Sequence, residues 1–367
     1  MMHLTDTLEI GGSERMAVNL ANNMSRRRFV THLCTTRRVG PLAGFLNEDV
    51  SRLSLNRRYA ADIASVRRLA AYNAEHNIRI MHAHGSAVFV ATAASLLPPH
   101  PAVVWHIHYG RYAAESLTGY QFRYIRNRVS WTIAVSQPLA EWARLTVGLP
   151  TEAVTYIPNF STLTTKRESD LQLPGVQGKR IVCVANFLPE KDHRTLINAM
   201  EKVLEEEPAA HLLLVGGGTH SIWGHAVRQQ ILDLGLNASV SMLGQRSDVG
   251  DILRAADIGV LSSKTEGLPL ALIEYGEAAL PTAVTDVGQC AETIGGGNFG
   301  VLVAPGSPSQ LAAAIVRLLR SPEERNRLGR SFHDQVKKRF SSAYVMERVH
   351  TTYEQVLGEM RESERDG

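Results

Sequence analysis

Two carboxylates eight residues apart, Glu266 and Glu274, stand in the stretch Leu261-Ser-Ser-Lys-Thr-Glu-Gly-Leu-Pro-Leu-Ala-Leu-Ile-Glu-Tyr-Gly276. The apolar run 258–261 breaks at two serines and restarts with helical spacing, so it reads as a buried strand, a loop over 262–267 and a helix over 268–279. Open α/β sheets bind ligands at loops that follow strands. Glu266 would then face the reacting end of a ligand, while Glu274, two turns on, could accept hydrogen bonds from hydroxyls farther away. Gly267 allows close backbone approach, and Pro269 suits a first helical turn because its missing N–H would be unpaired there anyway. The unpaired N–H groups of Gly267 and Leu268 could receive a phosphate. Two glutamates at this spacing also occur as a capping residue and a solvated one, so the pattern needs support from the rest of the chain.

Further candidates lie in other loops. Lys191 ends Asn186-Phe-Leu-Pro-Glu-Lys191 after an apolar strand pattern at 180–185, Gly216 opens a glycine triplet after 211–215, and Arg246 follows 240–243. Gly11 and Gly12 separate a first strand, 1–7, from a helix with Met16, Leu20 and Met24 on one face. Paired glycines there can turn N–H groups toward phosphate. Their spacing is not Gly-x-Gly-x-x-Gly, which argues against a dinucleotide site. His106 and His108 share one face of a strand because side chains alternate, and His82 and His84 end another. With no acidic or cysteine ligand nearby in sequence, these histidines read as metal-free, and His84 as a core or loop residue.

These residues need a scaffold of strands ended by loops. Strand and helix patterns alternate along the whole chain, as parallel Rossmann-like sheets require. Strands are expected at 29–34, 78–82, 102–108, 131–135 and 154–159, and helices at 62–76, 87–97, 111–128 and 138–145. The helix over 111–128 mixes arginine with Tyr112, Tyr120, Phe122 and Tyr124, a composition that suits a nucleic acid, a membrane surface or a lipid-linked ligand. A polar stretch, 162–178, reads as a linker between domains 1–161 and 179–342. A helix over 343–360 follows, with a charged, frayed end from Arg361 to Gly367.

The chain has 367 residues and a net charge of only +3, unevenly spread. Residues 1–165 hold 17 arginines, no lysine and 10 acidic residues, a local charge of +7, which leaves −4 for the remainder. An arginine-rich first half suits an anionic partner such as a diphosphate or lipid headgroups. Cys34, Cys183 and Cys290 lack Cys-x-x-Cys spacing, which points to reduced core thiols and no structural zinc. No stretch of about 20 apolar residues exists to span a bilayer, and no secretory signal pattern opens the chain. The expected location is cytoplasmic, with a peripheral position at the inner membrane face left open. The first strand starts late, which suggests that an N-terminal segment is missing.

In combination, Gly-Gly-x-Glu after the first strand, Pro-Glu-Lys at 189–191, and Glu-Gly-x-Pro with Glu-x7-Glu at 266–274 resemble the retaining glycosyltransferases of the Glu-x7-Glu family. These are family 4-like, group 1 enzymes of bacterial polysaccharide-biosynthesis type. The resemblance implies the GT-B fold, α/β, with two facing Rossmann-like domains, a central cleft and the final helix crossing back to the first domain. It implies transfer of a sugar from a nucleotide diphosphate sugar, with UDP favoured and GDP possible, to a hydroxyl of a saccharide acceptor. The arginine-rich first domain suggests that this acceptor is lipid-linked. Glu266 would sit beside the transferred sugar and Glu274 on the ribose hydroxyls. His108 would lie near the sugar and its anomeric phosphate, and Lys191, Gly12 and the N–H groups of Gly267 and Leu268 near the diphosphate. Gly216 and Arg246 fall in further donor-binding segments. No Asp-x-Asp pattern appears, so neither metal nor other cofactor is expected. Two departures stand out: Asn186 replaces the family's arginine, and Phe160 replaces the glycine of Ile-Pro-Asn-Gly. The lost positive charge supports a second reading, a catalytically silent subunit that binds a nucleotide sugar.

Overall fold

A computed structural model describes residues 1–59, 61–115, 118–163 and 171–366. Residues 164–170 of the expected linker, 162–178, lie outside the described residues. The chain divides into two compact units, one built from Met1–Phe160 and the terminal helix Ser342–Asp366, the other from Ser161–Ser341.

The first unit is a seven-stranded parallel sheet. Its strands are β1 (Met2–Thr7), β2 (His32–Arg38), β3 (Ser51–Ser54), β4 (Ile80–His84), β5 (Ala102–Ile107), β6 (Trp131–Ala134) and β7 (Val154–Tyr156), in the order β3-β2-β1-β4-β5-β6-β7. The order reverses between β1 and β4. Met16 and Leu20 of the helix Gly12–Asn23, with Met24 at its C-cap, are buried and pack in one core with Ile80, Val104 and Ile133 of the sheet. Val345, Val349, Tyr353 and Val356 of the terminal helix complete that core, along with Phe160. A side chain as large as phenylalanine where the family has glycine thus fills space in the first unit.

Several local expectations need correction. β2 starts three residues later than 29, and β3 has no apolar signature to announce it. The strand expected to end at His82 runs on to His84, so both histidines lie within the sheet. The helix expected over 111–128 is two short pieces, Arg111–Ala114 and Tyr120–Arg126, with residues 116–117 outside the described residues. The terminal helix continues to Asp366 where fraying was expected.

The second unit holds six parallel strands. They are β8 (Arg180–Val184), β9 (His211–Val215), β10 (Val240–Gly244), β11 (Ile258–Leu261), β12 (Thr282–Thr285) and β13 (Val301–Val303), in the order β10-β9-β8-β11-β12-β13. Here the reversal falls between β8 and β11. Helices His193–Glu206 and Pro308–Arg320 place Leu196, Met200 and Val203, and Leu311, Ile315 and Leu318, against Ile181, Leu212 and Val260. This i, i+4, i+7 spacing is the apolar stripe that fixes such a helix on a sheet. Ser307 caps the second of these helices by accepting from the Gln310 N–H, and Pro308 takes its first position. A further helix, Pro322–Arg339, buries Leu328, Phe332 and Val336.

Candidate active site

Every candidate of the second unit lies in a loop or helix that follows a strand of its sheet. Asn186 and Lys191 come after β8, Gly216 after β9, Arg246 after β10, and Glu266, Gly267, Leu268 and Glu274 after β11. β8 and β11 flank the reversal of strand order, the place at which open α/β sheets hold ligands.

Across that point Lys191 Nζ donates to both oxygens of Glu266, at 2.6 and 2.8 Å. Glu266 is nearly buried and Lys191 largely so. Burial alone pulls the Lys191 ammonium down, but the adjacent Glu266 carboxylate outweighs it and holds the group above the ordinary lysine range. The supporting bonds come from residues that sequence reasoning did not single out. Ser263 Oγ donates to Glu266 Oε1 at 2.7 Å, Ser262 Oγ to the Lys191 carbonyl at 3.0 Å, and Thr285 Oγ1 to the Ser263 carbonyl at 2.7 Å. The two serines that interrupt the apolar run were their only trace in the sequence.

The backbone is held as closely. A Cβ at Gly288, whose φ is +55°, would lie 2.1 Å from the Glu266 carbonyl oxygen, and the Gln289 N–H donates to the Gly267 carbonyl at 2.9 Å. The loop after β12 therefore rests directly on the loop that carries Glu266, an approach open only to glycine. At Gly216 a Cβ would fall 2.0 Å from the Ala185 carbonyl oxygen, so the β8 and β9 loops are also in backbone contact. Asp192, directly after Lys191, adopts the left-handed conformation, φ 45° and ψ 49°. Glycine would adopt this backbone without strain; here an aspartate takes it and accepts from Thr195 Oγ1 at 2.7 Å.

Other expectations change. The helix after β11 is Leu270–Glu277, with Pro269 as its cap and not its first residue. Its unpaired N–H groups therefore begin at Leu270, and Gly267 and Leu268 precede the helix. Glu274 is half-buried on that helix. Arg246 is engaged by Asp248 through two bonds of 2.8 and 2.6 Å. Asn186, in the place of the family's arginine, accepts the Gly217 N–H at 2.8 Å and so braces the β8 and β9 loops against each other.

In the first unit, Gly12 opens the helix after β1, and a Cβ there would meet nothing within 4 Å. His108 lies just past β5, half-buried, at the end of an unexpected cluster. His3 pairs in register with His82, and His84 with His106, across the adjacent strands β1, β4 and β5. Side-chain alternation then turns all five histidines to one face of the sheet. His3 Nδ1 lies 3.2 Å from His84 Nε2, His84 Nδ1 3.0 Å from His108 Nε2, and His82 Nε2 2.9 Å from His106 Nδ1. His82 Nδ1 meets the Tyr353 hydroxyl of the terminal helix. Burial pushes all five below the ordinary imidazole range, His108 to about 3, so they are neutral at pH 7. His3 and Tyr353 were not singled out in the sequence, because their place in the cluster depends on strand order and on the path of the last helix.

The model of "Glycosyltransferase Family 4" matches residues 10–163, and that of "Glycosyl transferases group 1" matches 167–333. An exopolysaccharide phosphotransferase of Streptomyces coelicolor is 30% identical over 189 residues, which is 51% of this chain and 19% of that protein. A GDP-mannose-dependent monoacylated α-(1-6)-phosphatidylinositol monomannoside mannosyltransferase of Corynebacterium glutamicum is 28% identical over 178 residues, 46% of this chain and 45% of that one. The chain thus spans less than half the length of either relative. The crystal structure of Anabaena HepE in complex with UDP and glucose superposes with a TM-score of 0.84 over 96% of this chain and 98% of HepE, at 20% identity, which establishes a shared fold. With the two family models matching consecutive segments that together cover most of its length, and with two Rossmann-like units of the GT-B type, this chain belongs to the group 1, family 4 glycosyltransferases.

Proposed function

We propose that the protein transfers a sugar, with retention at the anomeric carbon, from a nucleotide diphosphate sugar to a hydroxyl of a saccharide acceptor in surface polysaccharide biosynthesis. The observation that carries this reading is the Lys191–Glu266 pair at the switch point of the second sheet. On this reading the cation serves the leaving group and the carboxylate the reacting carbon. As the bond from C1 to the diphosphate breaks, negative charge gathers on the leaving phosphate, and positioned donors stabilise it. Lys191 is the principal donor, and the first turn of Leu270–Glu277 supplements it. Glu266 then faces the transferred sugar and Glu274 the ribose. Gly216 and Arg246 border the nucleotide. The acceptor oxygen forms the new bond on the face that the diphosphate leaves, and its proton passes to the departing phosphate oxygen. No metal takes part in this scheme.

A UDP-sugar is favoured as donor, in keeping with the UDP and glucose held by HepE. A GDP-sugar is the alternative, as in the mannosyltransferase relative. The 17 arginines of residues 1–165 and the lipid acceptor in that relative's name support a lipid-linked acceptor and a peripheral site at the cytoplasmic membrane face. Asn186 favours a second reading, a silent nucleotide-sugar-binding subunit, since its side chain braces a turn and brings no positive charge. A panel of UDP- and GDP-sugars, incubated with wild type and Glu266→Ala, with and without membrane lipid extract, separates the two. Release of nucleotide diphosphate from one donor, dependent on extract and lost in Glu266→Ala, supports the transferase. Donor binding without release under any condition supports the silent subunit. The anomeric configuration of the product, read by NMR, tests retention.

A further inference from the structure

We propose that His84, His106 and His108 form a binding site for a late first-row divalent metal ion, of the zinc or cobalt type, in the first unit. One ring nitrogen of each lies within 4.8 Å of the others. Three imidazoles are a ligand set suited to such ions, and zinc in this setting binds nitrogen at about 2.0–2.1 Å. A tetrahedron of that size separates its ligand nitrogens by about 3.3 Å. His84 Nδ1 and His108 Nε2, 3.0 Å apart, already approach one edge of it.

The accounting of ring protons points the same way. A neutral imidazole carries one N–H and one lone pair, so a file of neutral histidines can satisfy its internal links only by leaving groups unpaired at its ends. Among the described residues, His3 Nε2, His106 Nε2 and His108 Nδ1 are buried without a partner. Buried polar groups without partners are costly and call for an explanation. A metal at His84 Nδ1, His106 Nε2 and His108 Nε2 would use the lone pair of His106 that nothing else engages. It would also leave the other ring nitrogens of two ligands correctly held. His84 Nε2–H would donate to His3 Nδ1, and His106 Nδ1–H to His82 Nε2, whose Nδ1–H would donate to the Tyr353 hydroxyl oxygen. Such outer partners are what fix the tautomer and orientation of metal-bound histidines. The neighbouring triad His3, His82 and His84 fits less well, because both ring nitrogens of His82 are engaged and all three residues are buried. His108, half-buried, is the most exposed member of the chosen triad. Three protein nitrogens leave a fourth position for water.

This inference does not depend on the transferase reading, and its test needs no sugar. Untagged protein, freed of metal by chelator, is dialysed to equilibrium against Co²⁺ and, separately, Zn²⁺. Bound metal is counted, and the visible spectrum of the cobalt form is recorded. The expected result is one equivalent per chain with the intense visible bands of four-coordinate cobalt. His84→Gln and His106→Gln should each lose that equivalent, while His220→Gln, at an exposed histidine of the second unit, should keep it. Circular dichroism of each variant checks its fold. Failure of the wild type to retain an equivalent with this spectrum overturns the proposal even if the variants do not fold. So does binding that survives His84→Gln and His106→Gln.

Discussion

The sharpest quantitative consequence of the structure is the coupling between Lys191 and Glu266. The pair is short, 2.6 Å, with Glu266 7% and Lys191 22% exposed by side chain. Removing one partner of a fully buried pair costs about 3–5 kcal/mol, because the other charge is left desolvated and unmatched. The partial exposure of Lys191 lowers this, so Glu266→Gln and Lys191→Met should each destabilise the second unit by about 2–3 kcal/mol. The double variant leaves no stranded charge and should cost less than the two singles combined, with a coupling of about 2 kcal/mol. In a unit of this size, about 2–4 °C accompanies each kcal/mol, so each single variant should melt about 4–12 °C lower. Urea denaturation of the four proteins, followed by fluorescence of Trp223 in the second unit with the tryptophans of the first unit replaced by phenylalanine, closes the cycle. Additivity within about 0.5 kcal/mol would mean that the two groups do not interact in solution and would refute the electrostatic core of the site.

Acid should weaken the second unit through His193. Burial against Phe187, with ring centroids 4.5 Å apart, lowers its pKa from 6.5 to about 4. Because the folded value is the lower one, stability is complete above about pH 6.5 and declines as pH falls toward 4. The loss should reach about 2 kcal/mol at pH 5, and His193→Phe should flatten that slope in urea titrations at pH 7.5 and pH 5. Asp192→Gly should leave stability within about 1 kcal/mol of wild type, because relief of the left-handed backbone offsets the lost Thr195 bond. Asp192→Val, in the same conformation, should lose about 2 kcal/mol by thermal melting. Gly288→Ala should push its Cβ into the Glu266 carbonyl and cut nucleotide release at least about tenfold, with a stability loss of about 1–3 kcal/mol. A normal rate in that variant would show that the Glu266 loop can move without consequence.

Elements were legible where local pattern and tertiary role coincide. The strands His211–Val215 and Ile258–Leu261 are apolar runs ended by glycine or serine, and both appear at the expected bounds. β3, Ser-Arg-Leu-Ser, is an edge strand with little to bury, and its pairing with β2 leaves no periodic signature in the sequence. The helix Pro322–Arg339 spaces Leu328, Phe332 and Val336 four residues apart, yet its surrounding charge hides that stripe. The site divides in the same way. Lys191 and Glu266 were each recognisable from their own loops, but their bond joins residues 75 positions apart and exists because β8 and β11 are neighbours while β9 and β10 lie beyond β8.

The histidines show how far that dependence on topology reaches. The spacing of His82 to His84 and of His106 to His108 predicts that each pair shares a face. It does not say that β4 and β5 adjoin with His84 beside His106, or that β1 brings His3 to His82. Lacking the register, the sequence offers separate pairs without an acidic partner, a poor metal site; with it, the same residues form a continuous file of imidazoles beneath a tyrosine from the far end of the chain. A one-residue slip of β4 would turn His82 and His84 to the opposite face and dissolve the cluster. The register of β1, β4 and β5 therefore also decides which chemistry the first unit can support.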